Sequence, residues 1–174
     1  MRKLLTIAAC LAAMWAGEPV SAQAERPIQL ALWSPAQVFP EEDAIKGIRL
    51  SLLYGRNASV TGFDLGLVSH TTGDFVGVQF GGVGLSDGDF EGWQNAWVNV
   101  VEGEFEGFQS GLVSTAEVGR GFQLSAVNHS RNFRGLQIAL VNYAQRLNGL
   151  QIGVVNIIRE GGMFPVFPIV NWSR

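Results

Sequence analysis

Along most of the chain apolar and polar positions alternate with period two, the signature of a β-strand rather than a helix. The alternation runs for about ten residues. It then breaks at short polar phrases such as Thr72-Gly73-Asp74, Asp87-Gly88-Asp89 and Glu102-Gly103-Glu104. These are turn residues, so each unit reads as one strand followed by one turn.

The units are copies of one another. Gly47, Gly62, Gly77, Gly92, Gly107, Gly121, Gly135 and Gly149 each open a similar phrase, at spacings of 15, 15, 15, 15, 14, 14 and 14. The clearest copies begin at Gly135 and Gly149; weaker ones lie at Pro27–Trp33 and Phe164–Asn171. Ser34 to Ala44, with Pro35 and Pro40, reads as a connecting loop. Such a period means a repeat-built architecture.

Within a copy, one side of the strand carries an apolar residue, Gly, Gln, Gly or Ala, and Val, as in Phe133, Gly135, Gln137, Ala139 and Val141. The other side carries Leu136, Ile138 and Leu140, with Arg134 and Asn142 at its ends. The first side is nearly palindromic around Gln, so reversing the strand preserves each layer. This predicts an all-β antiparallel meander of about ten strands closing into a small barrel. The alternative is a β-solenoid, in which successive copies run parallel and identical residues stack.

The Gln positions form a predicted polar row: Arg49, Asp64, Gln79, Gln94, Gln109, Gln123, Gln137 and Gln151. Arg49 and Asp64 occupy neighbouring copies, where an opposite-charge pair can replace an amide–amide bond. An inward row would be satisfied along its length; a row facing water is the alternative. If the row faces inward, Phe63, Trp93, Trp97, Phe108, Leu136, Ile138 and Leu140 face outward. Strands polar inside and apolar outside describe an outer-membrane barrel. Asn95, Ser110 and Gly82 interrupt the apolar band, so a secreted or periplasmic β-protein is the alternative. Trp93 and Trp97, on one side of one strand, form a candidate interaction face.

Residues 1–24 read as a secretion signal: Arg2 and Lys3, an apolar Leu4–Ala16 stretch, breakers at Gly17 to Pro19, and Ala22-Gln23-Ala24 before the cleavage point. Lipidation at Cys10 is a rival reading. Residues 25–174 form a single repeat-built domain. Cleavage removes Arg2, Lys3 and Glu18, taking 12 basic and 15 acidic residues to 10 and 14, a net charge of −4. The single Cys excludes an internal disulfide framework, and the acidic balance argues against a nucleic-acid partner.

Candidate chemistry is sparse. His70 and His129 follow equivalent repeat cores and read as loop residues. Gly81-Gly82-Val83-Gly84 lacks the Lys and Ser/Thr of a phosphate loop. Asp87-Gly88-Asp89 falls short of the six or more oxygens of a calcium site. No catalytic residues, no cofactor and no metal are expected, and the chain is not expected to be an enzyme.

The tandem phrase Gly149-Leu-Gln-Ile-Gly-Val-Val-Asn156, with Gly47-Ile-Arg-Leu-Ser-Leu-Leu-Tyr-Gly55, Gly62-Phe-Asp-Leu-Gly-Leu67 and Phe167-Pro-Ile-Val-Asn-Trp172, resembles the bacterial surface-repeat family first named in Leptospira. The resemblance covers nearly all of residues 25–174. It implies a cell-envelope location, with no established activity and no site residues to carry over. The expectation is a non-enzymatic envelope or surface protein of structural or interaction type. Its place is the outer membrane or cell surface, or alternatively the periplasm, and its partner outer-membrane lipid or a surface molecule.

Overall fold

The computed structural model describes residues 24–174, which contain strands and no helix. Residues 1–23 of the expected signal at 1–24, Cys10 among them, lie outside the described residues. Seven strands form one sheet in the order β2-β1-β3-β4-β5-β6-β7. They are β1 (Glu25–Trp33), β2 (Ala36–Gln37), β3 (Ala44–Asn57), β4 (Ser59–Thr71), β5 (Phe75–Ser86), β6 (Phe90–Glu160) and β7 (Val166–Ser173).

The copies run parallel. Gly47 pairs with Gly62, Gly62 with Gly77, and Gly77 with Gly92. Arg49, Asp64, Gln79 and Gln94 are register partners in the same way. A chain that returns to the same register and direction every 14 or 15 residues is coiling about an axis, so the molecule is a β-solenoid. This overturns the antiparallel meander and the barrel. Among the described residues the antiparallel pairs are β2 with β1 and β7 with the last repeat of β6.

The palindrome misleads because its two glycine layers are not equivalent. The eight repeat-opening glycines all have φ between +125° and +150°, a region that L side chains rarely adopt. Each also lies on the backbone of the preceding coil: a Cβ at Gly92 would stand 1.9 Å from the Gly77 carbonyl oxygen. The other small layer holds Ser51, Ala96, Ser125 and Ala139 as well as glycine. One layer bends the chain into the coil, and the other only has to be small.

A second bend shifts the alternation by one residue. Gln137 and Ala139 face inward, Leu140 and Val141 both turn outward, and Asn142 is buried. Strict alternation puts Val141 inside and Asn142 on the outer side; the corner between them reverses both. Because the chain stays extended through these corners, β6 is one unbroken 71-residue strand spanning several repeats.

The apolar core is thin and lies at the turn end of each coil. Ile45, Val60, Phe75, Phe90 and Phe105 stack on one another there, joined by Phe133 and Leu147. Phe75 and Phe90 lie face to face, with centroids 4.6 Å apart and planes at 3°. Gly119 occupies the stack position between Phe105 and Phe133, and the Phe133 ring fills its space. The rest of the interior is polar.

Candidate interaction face and buried polar ladders

The predicted polar row is interior. Arg49, Asp64 and every Gln of the row are fully buried. Parallel stacking gives the amides one sense. Gln151 Nε2 donates to Gln137 Oε1 at 2.8 Å, Gln137 to Gln123 at 2.7 Å, and Gln123 to Gln109 at 2.7 Å. Gln109 then donates to Gln94, and Gln94 to Gln79, both at 2.8 Å. Gln79 donates to Asp64 Oδ2 at 2.9 Å.

A run of donors pointing one way needs an acceptor at its end. Asp64 is that acceptor, and Arg49 neutralises it from the other side through Nε and Nη2, each at 2.8 Å. Two of the three remaining guanidinium donors are used as well: Nη1 reaches the His70 carbonyl at 3.0 Å, and Nη2 reaches Thr71 Oγ1 at 3.2 Å. A buried ion pair is tolerable only with its other hydrogen-bonding capacity met. Gln29, the register partner of Arg49, does not join the ladder. Its amide holds the loop after β1 by a reciprocal pair of bonds to Phe39.

A second ladder, absent from the predicted row, runs beside the first. Asn128 Nδ2 donates to Asn142 Oδ1 at 2.9 Å, and Asn142 Nδ2 to Asn156 Oδ1 at 2.8 Å. Asn128 also donates to the Ile138 carbonyl, and Asn142 to the Ile152 carbonyl. Asn156 continues onto the Phe167 carbonyl of β7. These donors point toward the C-terminus, opposite to the Gln ladder, so the two rows of amide dipoles oppose each other. The sequence signal is the recurrent Val-Asn ending, which period-two alternation assigns to the outer side.

Apart from the thin core at the turn end, polar ladders occupy the inside and many large apolar residues lie outside. One sheet face carries three outward columns. Ile48, Phe63, Val78, Trp93, Phe108, Phe122, Leu136 and Leu150 form the first, and each position sits one residue after a stacked glycine. Leu50, Leu65, Phe80, Asn95, Ser110, Leu124, Ile138 and Ile152 form the second. Leu52, Leu67, Gly82, Trp97, Leu112, Ala126, Leu140 and Val154 form the third, at the corner. Ile28, Leu30 and Leu32 of β1 extend all three.

Ring contacts run along the middle of the first column and link it to Phe80 of the second. Phe80 meets Trp93 edge-on at 4.9 Å, Trp93 lies 5.9 Å from Phe108, and Phe108 stacks on Phe122 at 5.1 Å. Asn95 and Ser110 satisfy each other across the middle column at 2.6 Å. Trp93 and Trp97 both point outward, as the sequence suggests, but differ in setting. Trp93 is 40% exposed and packed between rings; Trp97 is 64% exposed and stands above the face. Beside it Gly82 leaves a notch. The leucines of β1, β3 and β4 line an open apolar depression of about 670 Å³ that ends at Gly82.

The opposite, turn-side edge is charged. Arg131 meets Glu117 at 3.0 Å and Arg146 meets Glu160 at 2.7 Å, each pair linking adjacent coils. A hydrogen bond from Gln145, reinforced by Arg146, holds the Glu160 carboxyl below its ordinary range. Asp74 and Asp89 cap the turns: Asp89 N donates to Asp74 Oδ1 at 3.0 Å, and Glu104 N to Asp89 Oδ1 at 2.7 Å. His70 bridges Tyr54 Oη and Asp87 at 3.0 and 2.9 Å. His129 instead stacks on Tyr143 at 5.0 Å. Three repeats separate the two histidines, so they form no joint site. Among the described residues no three His, Cys, Asp or Glu side chains converge as a metal site.

No known protein family, curated protein or solved structure matches this chain.

Proposed function

We propose that the chain is a non-enzymatic, exported envelope or surface protein that acts through its apolar sheet face. The observation carrying this reading is the inverted polarity of the coil. Gln and Asn ladders fill the interior, while Leu65, Trp97, Leu112 and Leu140 stand on the outside. A contiguous apolar surface of this extent marks an interaction site on a folded protein. The tandem repeat phrase, similar to bacterial surface repeats, supports an envelope setting.

Cell fractionation tests the reading. Wild-type protein should be recovered with the envelope or in assemblies, and a Leu65→Lys, Leu124→Lys chain should shift to the soluble fraction. Wild-type protein recovered as a soluble monomer, with the variant behaving identically, would reject it.

A second reading, a secreted or periplasmic binding module, is favoured by Trp97, whose ring has little contact with its own chain. Loss of a ligand on Trp97→Ala, with the envelope fraction empty, would select it.

A further inference from the structure

We infer that the occupant of this face is a second copy of the chain, packed sheet to sheet about a two-fold axis parallel to the strands. The inference rests on the reading that the apolar face is the working surface, and it names what covers it.

The first argument is area. Strands are spaced about 4.8 Å apart and rise about 3.3 Å per residue, so β1 and the eight repeats make a face roughly 40 Å long. Three outward columns with their side chains make it roughly 20 Å wide, or about 800 Å². A stable interface of standard size removes about 800 Å² from each partner. The face is therefore large enough to hold two copies together without any other contact.

The second argument is shape. In a two-fold interface residue i meets j while j meets i. An axis running along the strands keeps each column opposite itself and reverses the order of coils. Placed between the Gln79 and Gln94 strands, it sets Gly82 against the partner's Trp97, and Trp97 against the partner's Gly82. The most exposed aromatic of the face then lies over the one position of the three columns that has no side chain, twice. The same axis sets Leu52 against Ala126, large against small, and Leu67 against Leu112, apolar against apolar. In the polar patch of the middle column, Ser110 Oγ accepts from Asn95 Nδ2 at 2.6 Å and from Trp93 Nε1 at 3.4 Å, so part of its hydrogen bonding is met within the face.

The test is a cysteine pair in the full chain with Cys10→Ser. Leu67→Cys plus Leu112→Cys should give a disulfide-linked dimer under mild oxidation, while either substitution alone should not. Light scattering of the uncrosslinked wild type should give twice the monomer mass. Trp97→Ala, which removes an exposed side chain and leaves the coil interior untouched, should lower dimer affinity at least tenfold while the β-sheet circular-dichroism signal is unchanged. Monomeric wild type, or a dimer indifferent to Trp97→Ala and to the cysteine positions, would overturn the proposal. Monomer that sediments with phosphatidylethanolamine–phosphatidylglycerol vesicles would overturn the second copy as occupant yet leave the apolar face as the working surface. Monomer that binds neither would remove both.

Discussion

Arg49 and Asp64 form a fully buried bidentate ion pair, with Nε and Nη2 each 2.8 Å from a carboxylate oxygen. The pair sits at the end of the Gln ladder because only an acceptor can close a one-way run of amide donors. The Arg in turn keeps the acceptor from being a lone buried charge.

Removing one partner should therefore be worse than removing both. Arg49→Gln alone leaves Asp64 buried and unpaired, at a cost of about 3–5 kcal/mol. Arg49→Gln with Asp64→Gln restores the repeat residue at both positions and should recover most of that loss. Urea unfolding of the two single variants and the double variant measures the coupling.

Gly92 cannot carry a side chain. Its φ is +131°, and a Cβ would stand 1.9 Å from the Gly77 carbonyl oxygen. Gly92→Ala should cost about 1–3 kcal/mol from backbone strain, with displacement of the neighbouring coil adding to it. Ala139→Gly, in the layer where size alone matters, should cost about 1 kcal/mol or less. Thermal unfolding compares them.

Asn142→Leu keeps volume but removes the donor to the Ile152 carbonyl and to Asn156 Oδ1. Leaving these acceptors unsatisfied should cost about 1–3 kcal/mol. Amide hydrogen exchange should accelerate first in the coils around residues 128–156, where the ladder is cut.

The two tryptophans should separate. Trp93→Ala removes contacts to Phe80 and Phe108 and should destabilise the fold by about 1–3 kcal/mol. Trp97→Ala should change monomer stability by no more than about 0.5 kcal/mol while altering association. Chemical denaturation and light scattering on each variant distinguish the two roles.

Glu160 gives a pH signature. Its folded-state pKa lies below the ordinary 4.5, owing to the Gln145 hydrogen bond and then Arg146. Its contribution is present above the unfolded value and is lost as pH falls through the folded one. Glu160→Gln should slightly lower stability at neutral pH, and the difference from wild type should vanish as pH falls below about 4.5. Thermal midpoints at pH 3 to 7 check it.

All-β character, the repeat boundaries, the buried row from Arg49 to Gln151 and the outward placing of Trp93 and Trp97 are all legible in one copy of the repeat. Period-two alternation and residue type report which side of a strand is which. The direction of successive strands is not legible in the same way, although a clue lies in the sequence. The layer from Gly47 to Gly149 is glycine in every copy, while the layer from Ser51 to Gly153 accepts Ser and Ala. An unvarying glycine marks a positive φ or a close backbone approach, and here both occur. That asymmetry breaks the palindrome on which an antiparallel meander rests.

What one strand's chemistry dictates, then, is local: strand, turn, and the sorting of polar from apolar positions. Whether copies stack parallel or fold back depends on how two bends inside each repeat add up, and hydropathy does not record bend angles. The corner beyond Leu140 turns Asn142 inward and Val141 outward for the same reason. The apolar columns become one continuous face only when parallel stacking sets equivalent residues from every coil side by side.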